Sequence, residues 1–210
     1  MSAEKAKKGS LEVICGSMFS GKTEELIRRL RRAQYARKNI VSFKHSLDKR
    51  REIEYVASHD GSKLAAIATD NSEIIRQFVT PSTDIVGIDE VQFFSAEIVD
   101  LILELVNKGK TVIVAGLDLD FRGVPFSCMP TLLALADSVT KLKAICMRCG
   151  KEAQHSQRLI NHKPANFNDP IVLIGAQECY EARCRECFEI DRYTNYTQLA
   201  RKYEEQQLDA

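Results

Sequence analysis

No apolar run in the 210 residues approaches the roughly 20 needed to cross a bilayer, so nothing reads as a membrane span. Charge of one sign is also missing. Lys plus Arg number 30 and Asp plus Glu 29, a net charge of +1, whereas dedicated nucleic-acid binders carry a clear basic excess. There is no helicase motif and no interleaved basic–aromatic stripe of the kind that tracks a single strand. The polar, lysine-rich start MSAEKAKKGS has no apolar signal-peptide core behind it. Residues 1–10 are expected to be a disordered tail, and the cytoplasm is the expected location. The seven cysteines are odd in number and widely spread, which does not suit a secreted disulfide frame. Repeats and low-complexity tracts are absent.

What is present is 44% hydrophobic residues, enough for one good core with a small appendage. Short runs rich in Val and Ile stand out: LEVIC (11–15), NIVSFKH (39–45), DIVGID (84–89) and KTVIVAGLD (110–118). Each is too short for a helix and reads as a buried parallel strand. Between them, helical spacing of apolar residues predicts helices over 24–38, 72–79 and 96–108, the last ended by Gly109. A further helix is predicted over 129–137. Strands alternating with helices imply an α/β fold, a parallel sheet with helices on both faces. The character changes near Lys143. The predicted organisation is a P-loop α/β domain over 11–142, a zinc-binding domain over 143–193 that includes a strand IVLIGA (171–176), and a C-terminal helix and tail over 194–210.

The stretch GSMFSGKT fits a phosphate-binding loop, with a strand before it and a helix after it. Gly16 and Gly21 allow the tight turn, and the N–H groups of Gly16, Ser17, Met18, Phe19, Ser20 and Gly21 can surround phosphates at a helix N-terminus. Lys22 would neutralise the β- and γ-phosphates of ATP, and Thr23 would offer a hydroxyl to Mg²⁺. Such a loop needs an acid at a second strand end. Asp89 is the candidate Mg²⁺ partner, and Glu90 could take a proton from an attacking hydroxyl or orient a water. Asp118 and Asp120 also follow a strand and read as loop-shaping residues. The arginines of RRLRR (28–32) lie opposite the apolar stripe and read as a solvated or subunit-facing surface. Arg50 and Arg122 fall in predicted loops at the active edge, where either could stabilise a transferring phosphoryl group.

Two Cys-x-x-Cys pairs, Cys146/Cys149 and Cys184/Cys187, have the spacing of a four-thiolate zinc site, with redox or incidental pairs as the plainer alternative. Roughly 34 residues lie between the pairs, more than a compact ribbon needs, so the insert would be a loop tied at its base. Four thiolates leave no open position, so the zinc would be structural, one per chain. Cys15 lies in a strand pattern and reads as a small buried residue.

The order GSMFSGKT, DEVQFF, GLDLDFRGVPF, CMRC, QRLI, CREC, spanning about 11–193, resembles the thymidine kinases of animals and many bacteria. The resemblance implies ATP-dependent phosphorylation of the thymidine 5′-hydroxyl, with deoxyuridine as a further acceptor. It implies a homotetramer and feedback binding of thymidine triphosphate. By position it makes Glu90 the base, places Arg50 beside the phosphates with Asp48 holding its loop, and makes Met18, Phe93, Leu117, Phe121 and Phe126 an apolar box around the thymine. Ser156 would stand near the base and Tyr180 near the sugar. The insert would be a lasso-like loop over the nucleoside, with Val172, Ile174 and Gly175 offering backbone groups to the pyrimidine edge. Two rivals remain: a kinase of another nucleoside on the same frame, and an ATP-driven nucleic-acid module with a zinc ribbon.

Overall fold

The structure, a computed structural model, describes residues 8–46, 55–57, 63–171 and 178–190. The expectations for the N-terminal tail before Lys8, for Asp48, Arg50, Val172, Ile174 and Gly175, and for a C-terminal helix lie outside the described residues. So does the IVLIGA strand, apart from Ile171.

In chain order the strands are β1 (Ser10–Gly16), β2 (Ile40–His45), β3 (Tyr55–Ala57), β4 (Lys63–Ala65), β5 (Ile67–Thr69), β6 (Ile85–Asp89), β7 (Thr111–Gly116), β8 (Ser138–Leu142), β9 (Ala144–Ile145), β10 (Glu152–Ala153), β11 (His155–Ile160), β12 (Lys163–Pro164) and β13 (Glu178–Arg183). The helices are α1 (Lys22–Tyr35), α2 (Ser72–Phe78), α3 (Ile98–Asn107) and α4 (Met129–Leu135), with a 3₁₀ turn at Val91–Phe93. The four strands and four helices expected over the first 137 residues all form, with ends shifted by a few residues. β1 begins at Ser10.

Six strands make one sheet in the order β5-β2-β6-β7-β1-β8, and every neighbouring pair is parallel. Alternation along the strands sends side chains to two cores. Val13, Val112, Val114, Ile88 and Phe43 face α2, α3 and α4, where they meet Ile75, Ile98, Leu101, Ile102 and Leu132. Ile14, Ile113 and Ala115 face α1 and meet Leu26 and Leu30. Burying each such aliphatic side chain contributes about 1.5–3 kcal/mol before ordering costs. The parallel sheet is thus covered on both faces, as an α/β arrangement requires.

Local chemistry fixes the helix ends. Asn71 Oδ1 accepts from Glu73 N (2.8 Å) and caps α2. α3 ends where Gly109 takes φ 80°, with Gly109 N donating to Val106 O (2.9 Å) and Lys110 N to Leu105 O (3.1 Å). The strands that the sequence pattern did not reveal are short or half-exposed. β8, reading SVTKL, sits at the sheet edge with no apolar run to betray it.

After Leu142 the chain builds a second, smaller unit. β9 and β10 form a hairpin, and β12, β11 and β13 form an antiparallel sheet. One buried cluster in this unit consists of Ala144, Cys146, Ala153, Ala182 and Cys184, and Leu159 and Ala165 are buried as well.

Candidate active site and metal centre

β1 ends in the glycine loop, and Gly16 is required there by space as well as by its φ of 146°: a Cβ would come within 2.3 Å of the Leu142 carbonyl. Gly21 takes φ 83°, and Phe19, exposed, takes φ 64°. Lys22 Nζ donates to Ser17 O (2.8 Å), closing across the turn. Glu24 and Glu25 lie in the first turn of α1, where acids offset the positive end of the helix dipole.

Two strands away, β6 delivers the acids. Thr23 Oγ1 donates to Asp89 Oδ2 (3.0 Å), so the loop hydroxyl and the strand-end carboxylate meet. Asp89 is buried. Burial first, then the neighbouring charge of Glu90, raises its pKa to about 7, against the opposing hydrogen bonds from Thr23 and the Glu90 amide and the charge of Lys22. A carboxylate so poised gains by acquiring a cation. Glu90 is only half-buried and sits in the left-handed region (φ 53°), a turn that lifts its carboxyl off the end of the strand.

Gln92 organises this edge. Its Nε2 donates to Glu90 Oε2 (2.5 Å), and its Oε1 accepts from Leu117 N (3.1 Å). One buried amide therefore ties the base candidate just after β6 to the loop after β7. Gly116 leaves room for it, since a Cβ there would lie 2.6 Å from Gln92 Oε1. Within DEVQFF this glutamine attracted no role, because a lone Gln carries no spacing signal.

Beside these groups lies an apolar edge. Phe93 and Phe126 are half-buried and meet edge to face at 5.8 Å. His45, at the end of β2, lies 5.9 Å from Phe93 and edge-on to Phe94 at 4.7 Å. Burial holds the His45 pKa below the ordinary histidine value, against the charges of Asp70 and Glu90. Met18 and Leu117 are half-buried, whereas Phe121 is buried. Ser156, also buried, accepts from Met18 N (2.9 Å), so its hydroxyl braces the glycine loop. Tyr180 is half-buried on β13, opposite Arg158.

The other polar candidates pair with one another or with nearby backbone. Asp120 Oδ1 accepts from Arg122 N (2.8 Å) and Val124 N (3.2 Å), and its Oδ2 receives the Arg122 guanidinium (2.6 Å). Arg122 also covers the Phe167 ring at 5.3 Å. Lys141 Nζ lies 2.8 Å from Asp118 Oδ2 and forms an ion pair with it. On α1, exposed Arg28 pairs with Glu25, whereas the mostly covered Arg29 pairs with Glu25 and reaches Glu12 of β1 and Thr140 of β8. Burial pushes the Cys15 thiol up to about 11, so it is an inert packing group.

The Sγ atoms of Cys146, Cys149, Cys184 and Cys187 all lie within 4.8 Å of one another, with Cys149 and Cys184 3.6 Å apart. Four thiolates about 2.3 Å from a tetrahedral zinc stand roughly 3.8 Å from each other, so the cluster could hold that ion. Burial opposes the Cys146 thiolate, yet the amides of Cys184, Arg148 and Cys149 outweigh it and bring the thiol down to about 6. The two turns that carry the cysteines have the right local form: Gly150 N returns to Cys146 O (2.9 Å) and Cys187 N to Cys184 O (3.1 Å).

Comparison with known proteins adds two findings. The family model described as thymidine kinase matches residues 9–188. Among solved structures, the flagellar accessory protein FlaH from Methanocaldococcus jannaschii aligns over 70% of this chain and 76% of its own, with 13% identity and a TM-score of 0.46. That second likeness is too loose to carry fold or function. No helix among the described residues is long and apolar enough to cross a membrane.

Proposed function

Since the chain belongs to the thymidine kinase family, we propose that this ATP-using kinase transfers the γ-phosphate to the 5′-hydroxyl of thymidine and also accepts deoxyuridine. Pyrimidine deoxynucleotide salvage is the role this serves. The observation that carries the proposal is the meeting of two elements: Thr23 bonded to Asp89 at 3.0 Å, with Glu90 next in the chain and oriented by Gln92. A phosphate grip and a candidate base thus share one edge, beside the Phe93–Phe126 pair.

In this reading the N–H groups of Gly16 to Gly21 and the Lys22 ammonium hold the ATP phosphates. Thr23 and Asp89 hold Mg²⁺, which would offset charge on the phosphate oxygens. Glu90 accepts the proton of the 5′-hydroxyl as that oxygen attacks. Met18, Leu117, Phe93 and Phe126 take the pyrimidine ring by stacking and exclusion of water, with Phe121 behind them. Ser156 acts through Met18, and Tyr180 is assigned to the sugar. Arg50 beside the phosphates, Asp48, and the backbone of Val172, Ile174 and Gly175 keep the roles that the resemblance gives them. The zinc is structural and closes the unit at 143–193, beside a catalytic unit at 11–142. Resemblance to the family supports a cytoplasmic homotetramer with thymidine triphosphate as a feedback ligand.

A panel of nucleosides with labelled ATP and Mg²⁺ tests the proposal. Thymidine and deoxyuridine are expected to be labelled at the 5′-position and deoxycytidine left unlabelled. Labelling of another nucleoside in preference to thymidine would overturn the acceptor. Tight, salt-sensitive DNA binding with no labelled nucleoside would overturn the kinase reading itself.

A further inference from the structure

The segment QRLI (157–160) belongs to β11, and its arginine is among the largest fully buried side chains of the protein, at 0% exposure. The Arg158 guanidinium lies 4.8 Å from the centroid of the Phe121 ring. Its Nη1 donates to the Pro170 carbonyl (2.6 Å). Its own backbone carbonyl accepts from Ala165 N (3.0 Å), so main chain and side chain together fix the arm that runs from β12 to Pro170. An apolar side chain of similar volume would fill the same space at lower desolvation cost. What the guanidinium adds is direction: a cation against one ring face and a donor to one carbonyl.

Alternation along β11 puts Ser156 and Arg158 on one face, two residues apart. Ser156 receives the amide of Met18, and Arg158 covers Phe121. One strand of the small unit therefore touches both residues assigned to opposite parts of the thymine box, one on the glycine loop and one on the loop after β7. A second contact runs the other way, from Arg122 of that loop to Phe167 of the arm (5.3 Å).

We propose that Arg158 is a positioning residue for the nucleoside acceptor: it sets the Phe121 ring and the Pro170 end of the arm against the pocket, and leaves the grip on ATP untouched. This rests on the acceptor site proposed above. The test is steady-state kinetics on the full chain with Arg158→Met, which keeps volume and removes charge, and Arg158→Lys, which keeps charge and loses the planar fork. Arg158→Met is expected to raise the thymidine KM about tenfold, the size of one lost charge-assisted contact, with the ATP KM and the zinc content unchanged. Arg158→Lys is expected to recover part of that loss. A cycle with Phe121→Leu is expected to be non-additive in the thymidine KM, because the arginine acts through that ring.

Equal rises in both KM values, or additive effects with Phe121→Leu, would reduce Arg158 to general packing and overturn the inference. Should Arg158→Met fail to fold, the Lys variant and its cycle with Phe121→Leu decide by the same criteria. A wild-type protein that labels no nucleoside defeats the kinase reading. A thymidine-labelling wild type whose variants keep its thymidine KM defeats this inference alone.

Discussion

The two units of this chain are stabilised by different means. The sheet unit buries Val, Ile, Leu and Phe on both faces of six parallel strands. The small unit buries alanines and cysteines around its cysteine cluster and, along β11, a largely polar row, His155, Ser156, Gln157 and Arg158, with Leu159 as its one large buried aliphatic side chain among the described residues. So few buried aliphatic side chains remove little apolar surface from water, which is the situation in which small folds turn to disulfides or metals. The cysteine cluster fits that need. The small unit also braces its neighbour, through Ser156 to Met18 and Ala153 to Ser17, both in the glycine loop.

Removing the metal breaks the comparison most severely. Structural zinc contributes on the order of 10 kcal/mol to small metal-tied folds. Metal analysis is expected to find about one zinc per chain. A strong chelator, or Cys184→Ser, is expected to abolish activity and strip protection from amide exchange over 144–190, while β1, β6 and β7 stay protected. Equal loss of protection in both units would make the protein a single cooperative block, and a fully active metal-free protein would refute the metal's role.

Next in size is Glu90→Gln, which keeps the shape of the side chain and removes the base. A drop in turnover of about 10²- to 10⁴-fold is expected, the range associated with general bases, with ATP affinity nearly unchanged. Turnover within a few-fold of wild type would show that Glu90 is not the base.

These experiments also bear on what could be read from sequence. The sheet unit was legible because its strands are apolar runs and its loop follows a spacing that physics demands. The glycine loop, the strand-end acids and the cysteine pairs all rest on short-range spacing, and in the fold Thr23 meets Asp89 and the four cysteines converge. The edge strand β8 was not legible, because a half-exposed strand has no apolar run. Neither were Gln92 and Arg158: each works by reaching another element, 25 residues away for Gln92 to Leu117 and 12 for Arg158 to Pro170. The contact of the Ser156 hydroxyl with the Met18 amide, 138 residues distant in the chain, is likewise one that no local pattern encodes.

Asp89 separates stability from function inside the sheet unit. Its pKa rises from 3.8 to about 7 on folding, chiefly through burial. Between about pH 4 and pH 7 the unfolded chain gives up this proton while the folded one keeps it, so stability falls as pH rises through that window and is level above it. Asp89→Asn is therefore expected to raise the melting temperature at pH 8, measured without nucleotide or Mg²⁺, and to flatten the decline between pH 4 and pH 7. Activity is expected to fall sharply. A variant less stable than wild type at pH 8 would mean that the buried carboxylate is already compensated.

Leu30→Ala asks whether the two units are as independent as their cores suggest. Leu30 is fully buried between α1 and the sheet, and Gly87 leaves it room: a Cβ on that glycine would lie 2.7 Å from Leu30 Cδ1. Truncation opens a cavity in the smaller of the two apolar cores, where few neighbours can collapse into it. The expected loss is about 3 kcal/mol, within the range for buried leucines. Because the metal cluster shares no side chain with that core, zinc content and exchange protection around Cys146 and Cys184 are expected to stay at wild-type levels at temperatures where the sheet unit has not yet melted. Zinc lost in step with the leucine cavity would mean that the glycine loop, braced by Ser156 and Ala153, transmits stability in both directions. The small unit would then be held by the sheet as much as by its own metal.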